Sequence, residues 1–91
     1  MESKSSVKSV DFSELILGFS SAALYYLGQD IEGQVKAEKV NIPLARQNID
    51  IIEMLREKTK GNLSVEEESL IQQILVDLQL KVIEVSTVVK A

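Results

Sequence analysis

Ile42-Pro43-Leu44-Ala45-Arg46-Gln47-Asn48-Ile49-Asp50-Ile51-Ile52-Glu53-Met54-Leu55-Arg56-Glu57-Lys58-Thr59-Lys60-Gly61-Asn62-Leu63-Ser64-Val65-Glu66-Glu67 decides the fold, because it holds two helix signals around one turn signal. At 100° per residue, Leu44, Ala45, Ile49, Ile51, Ile52 and Leu55 fall within one half of a wheel. Arg46, Gln47, Asp50, Glu53 and Glu57 fill the other half. Asn41 stands where an N-cap is needed, Pro43 suits the first turn, and Gly61 suits the left-handed position past the helix end. Ser64 with Glu67 three residues on reads as a capping box, and Glu66, Glu67 and Glu68 set negative charge against the positive end of the next helix. Gly61, Asn62, Ser64 and Glu67 thus define a hairpin whose short loop forces the helices to return antiparallel.

Working outward, the 91 residues suffice for one domain with a thin core. Apolar residues make up 45 % of the chain and aromatics only 4 %, so the core must be aliphatic. That much aliphatic surface on a small bundle points to self-association. The chain has no Cys and no His, so packing and subunit contacts must stabilise it. The net charge of −4 argues against a backbone-tracking nucleic-acid binder, which needs a basic face to release counterions. Lys36, Lys39, Lys58 and Lys60 are scattered among acids, as on a solvated mixed-charge surface. Residues 1–10 are Ser- and Lys-rich without the apolar run of a signal peptide, so a disordered arm is expected ahead of a single helical domain at 11–91, in a cytoplasmic protein.

A first helix is expected over 12–27, capped by Asp11 with Glu14 three residues later and stopped by Gly28. Phe12, Leu15, Ile16, Phe19, Ala22, Ala23, Tyr26 and Leu27 share one broad face, and Leu17 and Leu24 lie one heptad apart on the other side. Sixteen residues reach only about 24 Å, short of the roughly 30 Å of a hydrocarbon core, which argues against a membrane span. From 29 to 40 the periodicity breaks. Glu32-Gly33 is a turn signal, and the segment reads as a connecting loop with at most a short extended piece, either mobile or pinned against a neighbour.

A third helix is expected over 65–86, its main apolar arc made of Leu70, Ile71, Ile74, Leu75, Leu78, Val82, Val85 and Val89. Val76, Leu80, Ile83 and Thr87 form a second line on the opposite side, bounded by Gln73, Asp77 and Glu84 on one edge and Gln72, Gln79 and Ser86 on the other. A monomeric three-helix bundle has no internal partner for that line. Leu17, Leu24, Val76, Leu80, Ile83 and Thr87 are therefore the expected oligomer interface, with the third helices paired antiparallel or crossed about a two-fold axis. The β-branched stretch Val82 to Val89 lowers helix propensity, so the last turns are expected either to fray or to depend on the partner for order.

The run Val40 to Leu63, with Asp11-Phe12-Ser13 before it and Ser64-Val65-Glu66-Glu67 after it, resembles a family of small bacterial proteins known only as a domain of unknown function. The Arg46 and Asp50 pair and the loop Lys58-Thr59-Lys60-Gly61-Asn62-Leu63 belong to the matching positions, and the likeness covers Asp11 to about Ile83. It implies an all-helical protein and brings no activity, cofactor or catalytic residue with it.

The chemistry on offer is sparse. Asp50, Glu53 and Glu57 project from one quarter of the second helix, near Arg46, and are the metal candidates. The carboxylate-bridged iron bundles need Glu-x-x-His, and this chain has no His; the helical pyrophosphatase spacing is absent as well. A solvated face with an Arg46 to Asp50 ion pair is the simpler expectation. Asn48 falls within the apolar arc, where a buried amide needs partners, on the first helix, on the loop or on its symmetry mate. Thr59 is expected to bond back to a carbonyl. Lys58 to Asn62 reads as a helix C-cap rather than an anion nest.

The expected architecture is all-α, a three-helix domain in which the αα-hairpin of helices 42–60 and 65–86 is packed by the helix at 12–27, as a homodimer or higher oligomer. The expected function is a non-enzymatic interaction or scaffold module without a cofactor, binding copies of itself or a helical partner protein. The alternatives are a carboxylate- or metal-dependent helical hydrolase with its site at the subunit interface, and a peripheral membrane protein attached through the first helix.

Overall fold

A computed structural model describes residues 11–29, 32 and 34–90. The expected N-terminal arm lies outside the described residues. Three helices carry the fold: α1 (Phe12–Tyr26), α2 (Ile42–Lys58) and α3 (Val65–Lys90), with a single 3-10 turn at Ala37–Lys39. It is an all-α, three-helix domain. Among the described residues the extended structure is limited to one isolated antiparallel bridge between Gln29 and Val35.

The helix starts follow the capping residues. Asp11 stays extended while its carboxylate accepts from the Glu14 amide at 2.8 Å. Asn41 does the same for Leu44 at 3.1 Å, and Pro43 occupies the first turn of α2, where a missing N–H costs no intrahelical bond. At the hairpin, Ser64 Oγ accepts from the Glu67 amide at 3.1 Å and Glu67 Oε1 accepts from the Ser64 amide at 2.9 Å, so the box closes in both directions. The turn itself needs Gly61, whose φ of +87° is the left-handed conformation a side chain resists. The Asn62 amide then donates to the Thr59 carbonyl at 2.8 Å, and Thr59 Oγ1 donates back to Leu55 at 2.7 Å.

The core is one aliphatic cluster drawn from all three helices. Ile16, Ala23 and Leu27 come from α1 and its cap, Ala45, Ile49 and Ile52 from α2, and Ile71, Ile74, Leu75, Leu78, Val82 and Val85 from α3. No polar or charged side chain is buried among the described residues. Ile16, Leu27, Ile52, Ile71 and Val85 are the largest fully enclosed side chains, and burial of each contributes about 1.5–3 kcal/mol over leaving it in water.

Four expectations need correction. The third helix extends beyond the expected end near residue 86 and runs to Lys90, with Val82 and Val85 packed in the core through its β-branched stretch. Asn48 is half-buried and donates at 2.9 Å to the carbonyl of Leu44, one turn back on its own helix, so it links neither to α1 nor to the loop. Leu24 is half-buried against the core, which leaves Leu17, at 47 % exposure, as the member of that pair at the surface. Arg46 and Asp50 form no ion pair; pairs within 4 Å include Arg56 with Glu68 and Lys81 with Glu84.

The described part of the long connection is pinned. The Lys36 amide donates to the Gly28 carbonyl at 2.8 Å, and the Asn41 amide donates to the Tyr26 carbonyl at 2.6 Å, so the second helix sets out from the end of the first. Gly28 has a φ of +86°, and a Cβ there would meet Lys36 O and Val40 Cγ2, each at 2.7 Å. The chain turns back on itself at the one residue that leaves room for it.

Candidate functional site

The outer face of α3 is the most distinctive surface. Val76 is 42 % exposed, Leu80 61 % and Ile83 63 %, while Leu78, Val82 and Val85 on the opposite face are buried. The line continues at the exposed Thr87, whose hydroxyl donates at 3.0 Å to the Ile83 carbonyl on its own helix. At the start of the same helix Val65 is 84 % exposed, a residue the reading of the sequence did not assign to any surface. Its position at the first helical residue, ahead of the periodic arc, was the only available signal.

Both edges of the line are polar. On one edge the Gln73 amide donates to Asp77 at 3.1 Å, and Lys81 lies 3.7 Å from Glu84. On the other, Gln79 reaches across to α2 and donates to Glu53 at 2.7 Å. Val76, Leu80 and Ile83 therefore form a stripe bounded by polar side chains, while Leu15, Leu17 and Tyr25 of α1 and Leu44 and Met54 of α2 are exposed elsewhere on the surface.

The carboxylates of α2 face a groove between α2 and α3. One stretch of it is lined by Arg46, Ile49, Asp50, Glu53, Gln79, Val82 and Ile83, and the next by Glu53, Arg56, Glu57, Lys60, Glu68 and Leu75. Glu53 is shared between them and is held by Gln79, while Arg56 pairs with Glu68 at 3.6 Å, two polar ties that cross the groove. Among the described residues no three acidic side chains come together to hold a metal ion. The ion pair of Arg56 with Glu68 lies in the groove, and an exposed pair of this kind is worth about 0–1 kcal/mol. These cross-helix partners were not legible in the sequence, since they depend on the register of the hairpin.

Gly61, Asn62, Ser64 and Glu67 shape the hairpin and present no converging polar atoms, and a shallow depression beside them is lined by Leu63, Ser64, Val65, Glu68, Ser69 and Gln72. No helix among the described residues is long and apolar enough to cross a membrane.

Fold and surface together define a small three-helix protein built on an αα-hairpin, with an apolar stripe on the outer face of α3 left outside its core. The chain belongs to the family described as domain of unknown function DUF1844, whose model matches residues 9–84. No curated protein and no solved structure matches the chain.

Proposed function

We propose that this chain is a non-enzymatic helical interaction module that associates with copies of itself through the outer face of α3. The observation that carries this reading is the exposure of Leu80 and Ile83, 61 % and 63 %, on a helix whose other face is already committed to the core. Covering such side chains contributes about 1.5–3 kcal/mol apiece when burial is complete. Polar edges on either side confine the gain to that stripe, as in a helix-to-helix seam. The carboxylates of α2 are not gathered in threes among the described residues, and Glu53 accepts from Gln79, which favours the interaction reading over the metal-dependent one. The cytoplasmic setting expected from the sequence belongs to the same reading.

Light scattering after gel filtration tests the proposal with three proteins, each at the same concentration of about 100 μM, where association is favoured by mass action: the wild type, Leu80→Glu, and Met54→Glu as control. Met54 is 46 % exposed on α2, away from the stripe. The wild type and the control elute as the same oligomer and Leu80→Glu as a monomer. Loss of assembly in the control but not in Leu80→Glu, or a monomeric wild type, overturns the assignment.

A further inference from the structure

The two edges of the stripe differ, and the difference sets a direction. In a seven-residue repeat with Leu80 and Thr87 at one core position and Val76 and Ile83 at the other, Asp77 and Glu84 directly follow the second position. Gln72, Gln79 and Ser86 directly precede the first. Gln73 takes the same core position as Leu80 one repeat earlier and donates to Asp77 at 3.1 Å, so one edge carries the two carboxylates and the other only neutral groups. Asp77 and Glu84 are both exposed, and Lys81, which approaches Glu84 at 3.7 Å, sits further round the helix. The bond to Glu53 uses one N–H of the Gln79 amide, which has two.

An antiparallel pair brings like edges together, so Asp77 and Glu84 of one copy oppose the same two carboxylates of the other, and like charges across a helix seam are destabilising. A parallel arrangement brings unlike edges together. Gln72 then faces Asp77 of the neighbouring copy and Gln79 faces its Glu84, five residues further along, donor against acceptor. A single helix supplies both halves of this match, which favours a second copy over a foreign helix as the occupant.

We infer that copies of this chain associate through α3 running in the same direction, the acidic edge of each against the amide edge of the next. This rests on the self-association proposed above and specifies its geometry. The match holds around a ring of two, three or four copies. It replaces the antiparallel or crossed pairing expected from the apolar pattern alone.

The chain has no cysteine, so each introduced thiol is unique. Val76→Cys and Ile83→Cys are oxidised separately in the full chain. A disulfide needs Cα atoms within about 7 Å. Parallel packing sets both positions beside their own counterparts, and both variants become disulfide-linked. Antiparallel packing can bring at most one of them within reach, because they lie about 10 Å apart along the helix. Nitroxide labels on Ser69→Cys and Thr87→Cys, both exposed positions, read direction without forming a bond. Parallel packing gives two short self-distances, and antiparallel packing makes at least one about 27 Å or more. One cross-linked variant or none, with a long label distance, in a protein that sediments as an oligomer overturns the direction and leaves self-association standing. A monomer in sedimentation removes both.

Discussion

The carbonyl oxygen of Lys36 lies so close over Gly28 that a Cβ on residue 28 would stand 2.7 Å from it, with the Val40 methyl as near on another side. The same two residues close the connection between α1 and α2, since the Lys36 amide donates to the Gly28 carbonyl at 2.8 Å. Gly28→Ala is expected to cost at least about 2 kcal/mol, from a left-handed backbone worth about 1–2 kcal/mol and an added steric clash. Gly61→Ala shares the positive φ but meets nothing within 4 Å, so it should cost only about 1–2 kcal/mol. Thermal melts at one protein concentration rank the two. Equal losses would mean that the loop moves aside without cost.

The reciprocal bonds of Ser64 and Glu67 predict a coupled loss. Ser64→Ala should destabilise by about 1 kcal/mol, and Glu67→Ala should add less in that background than in the wild type. Urea titration of the four members of the double-mutant cycle measures this. Additive losses would show that the two bonds act independently.

Core position and surface position should separate cleanly in α2 and α3. Ile52 is fully enclosed, and Ile52→Val should cost about 0.5–1.5 kcal/mol. Val65 is 84 % exposed, and Val65→Ala should change stability by less than about 0.5 kcal/mol. Chemical denaturation at one protein concentration checks both, because association would otherwise contribute to the apparent stability.

Asn48 gives the sharpest contrast between pattern and structure. Its wheel position suggests a polar group fixing register in the core, yet its amide is satisfied by Leu44 on the same helix. Asn48→Ala should therefore leave stability unchanged or raise it by a few tenths of a kcal/mol, through better helix propensity. A loss above about 1 kcal/mol would mean that the amide has a partner elsewhere.

The helix starts were legible because each is written locally, in Asp11, Asn41 with Pro43, and Ser64 with Glu67. The core faces were legible for a related reason: Ile49, Ile52, Ile71, Leu78 and Val82 repeat at helical spacing. What was not legible depends on residues distant in sequence. Pinning of the connection uses the carbonyls of Tyr26 and Gly28, and the ties of Glu53 to Gln79 and Arg56 to Glu68 follow from how the hairpin packs. The end of α3 at Lys90 carries no local stop signal, since neither Gly nor Pro follows Val85 in the sequence. The stripe at Val76, Leu80 and Ile83 was legible as a pattern, and the structure adds its exposure.

Sedimentation equilibrium of the wild-type chain over a dilution series from about 100 to 1 μM tests the central claim most directly. A mass that is a multiple of 10.1 kDa at the top of the series and falls toward 10.1 kDa on dilution is the predicted result. A constant 10.1 kDa at every concentration would contradict it, since the apolar stripe of α3 would then stand in water with nothing to cover it.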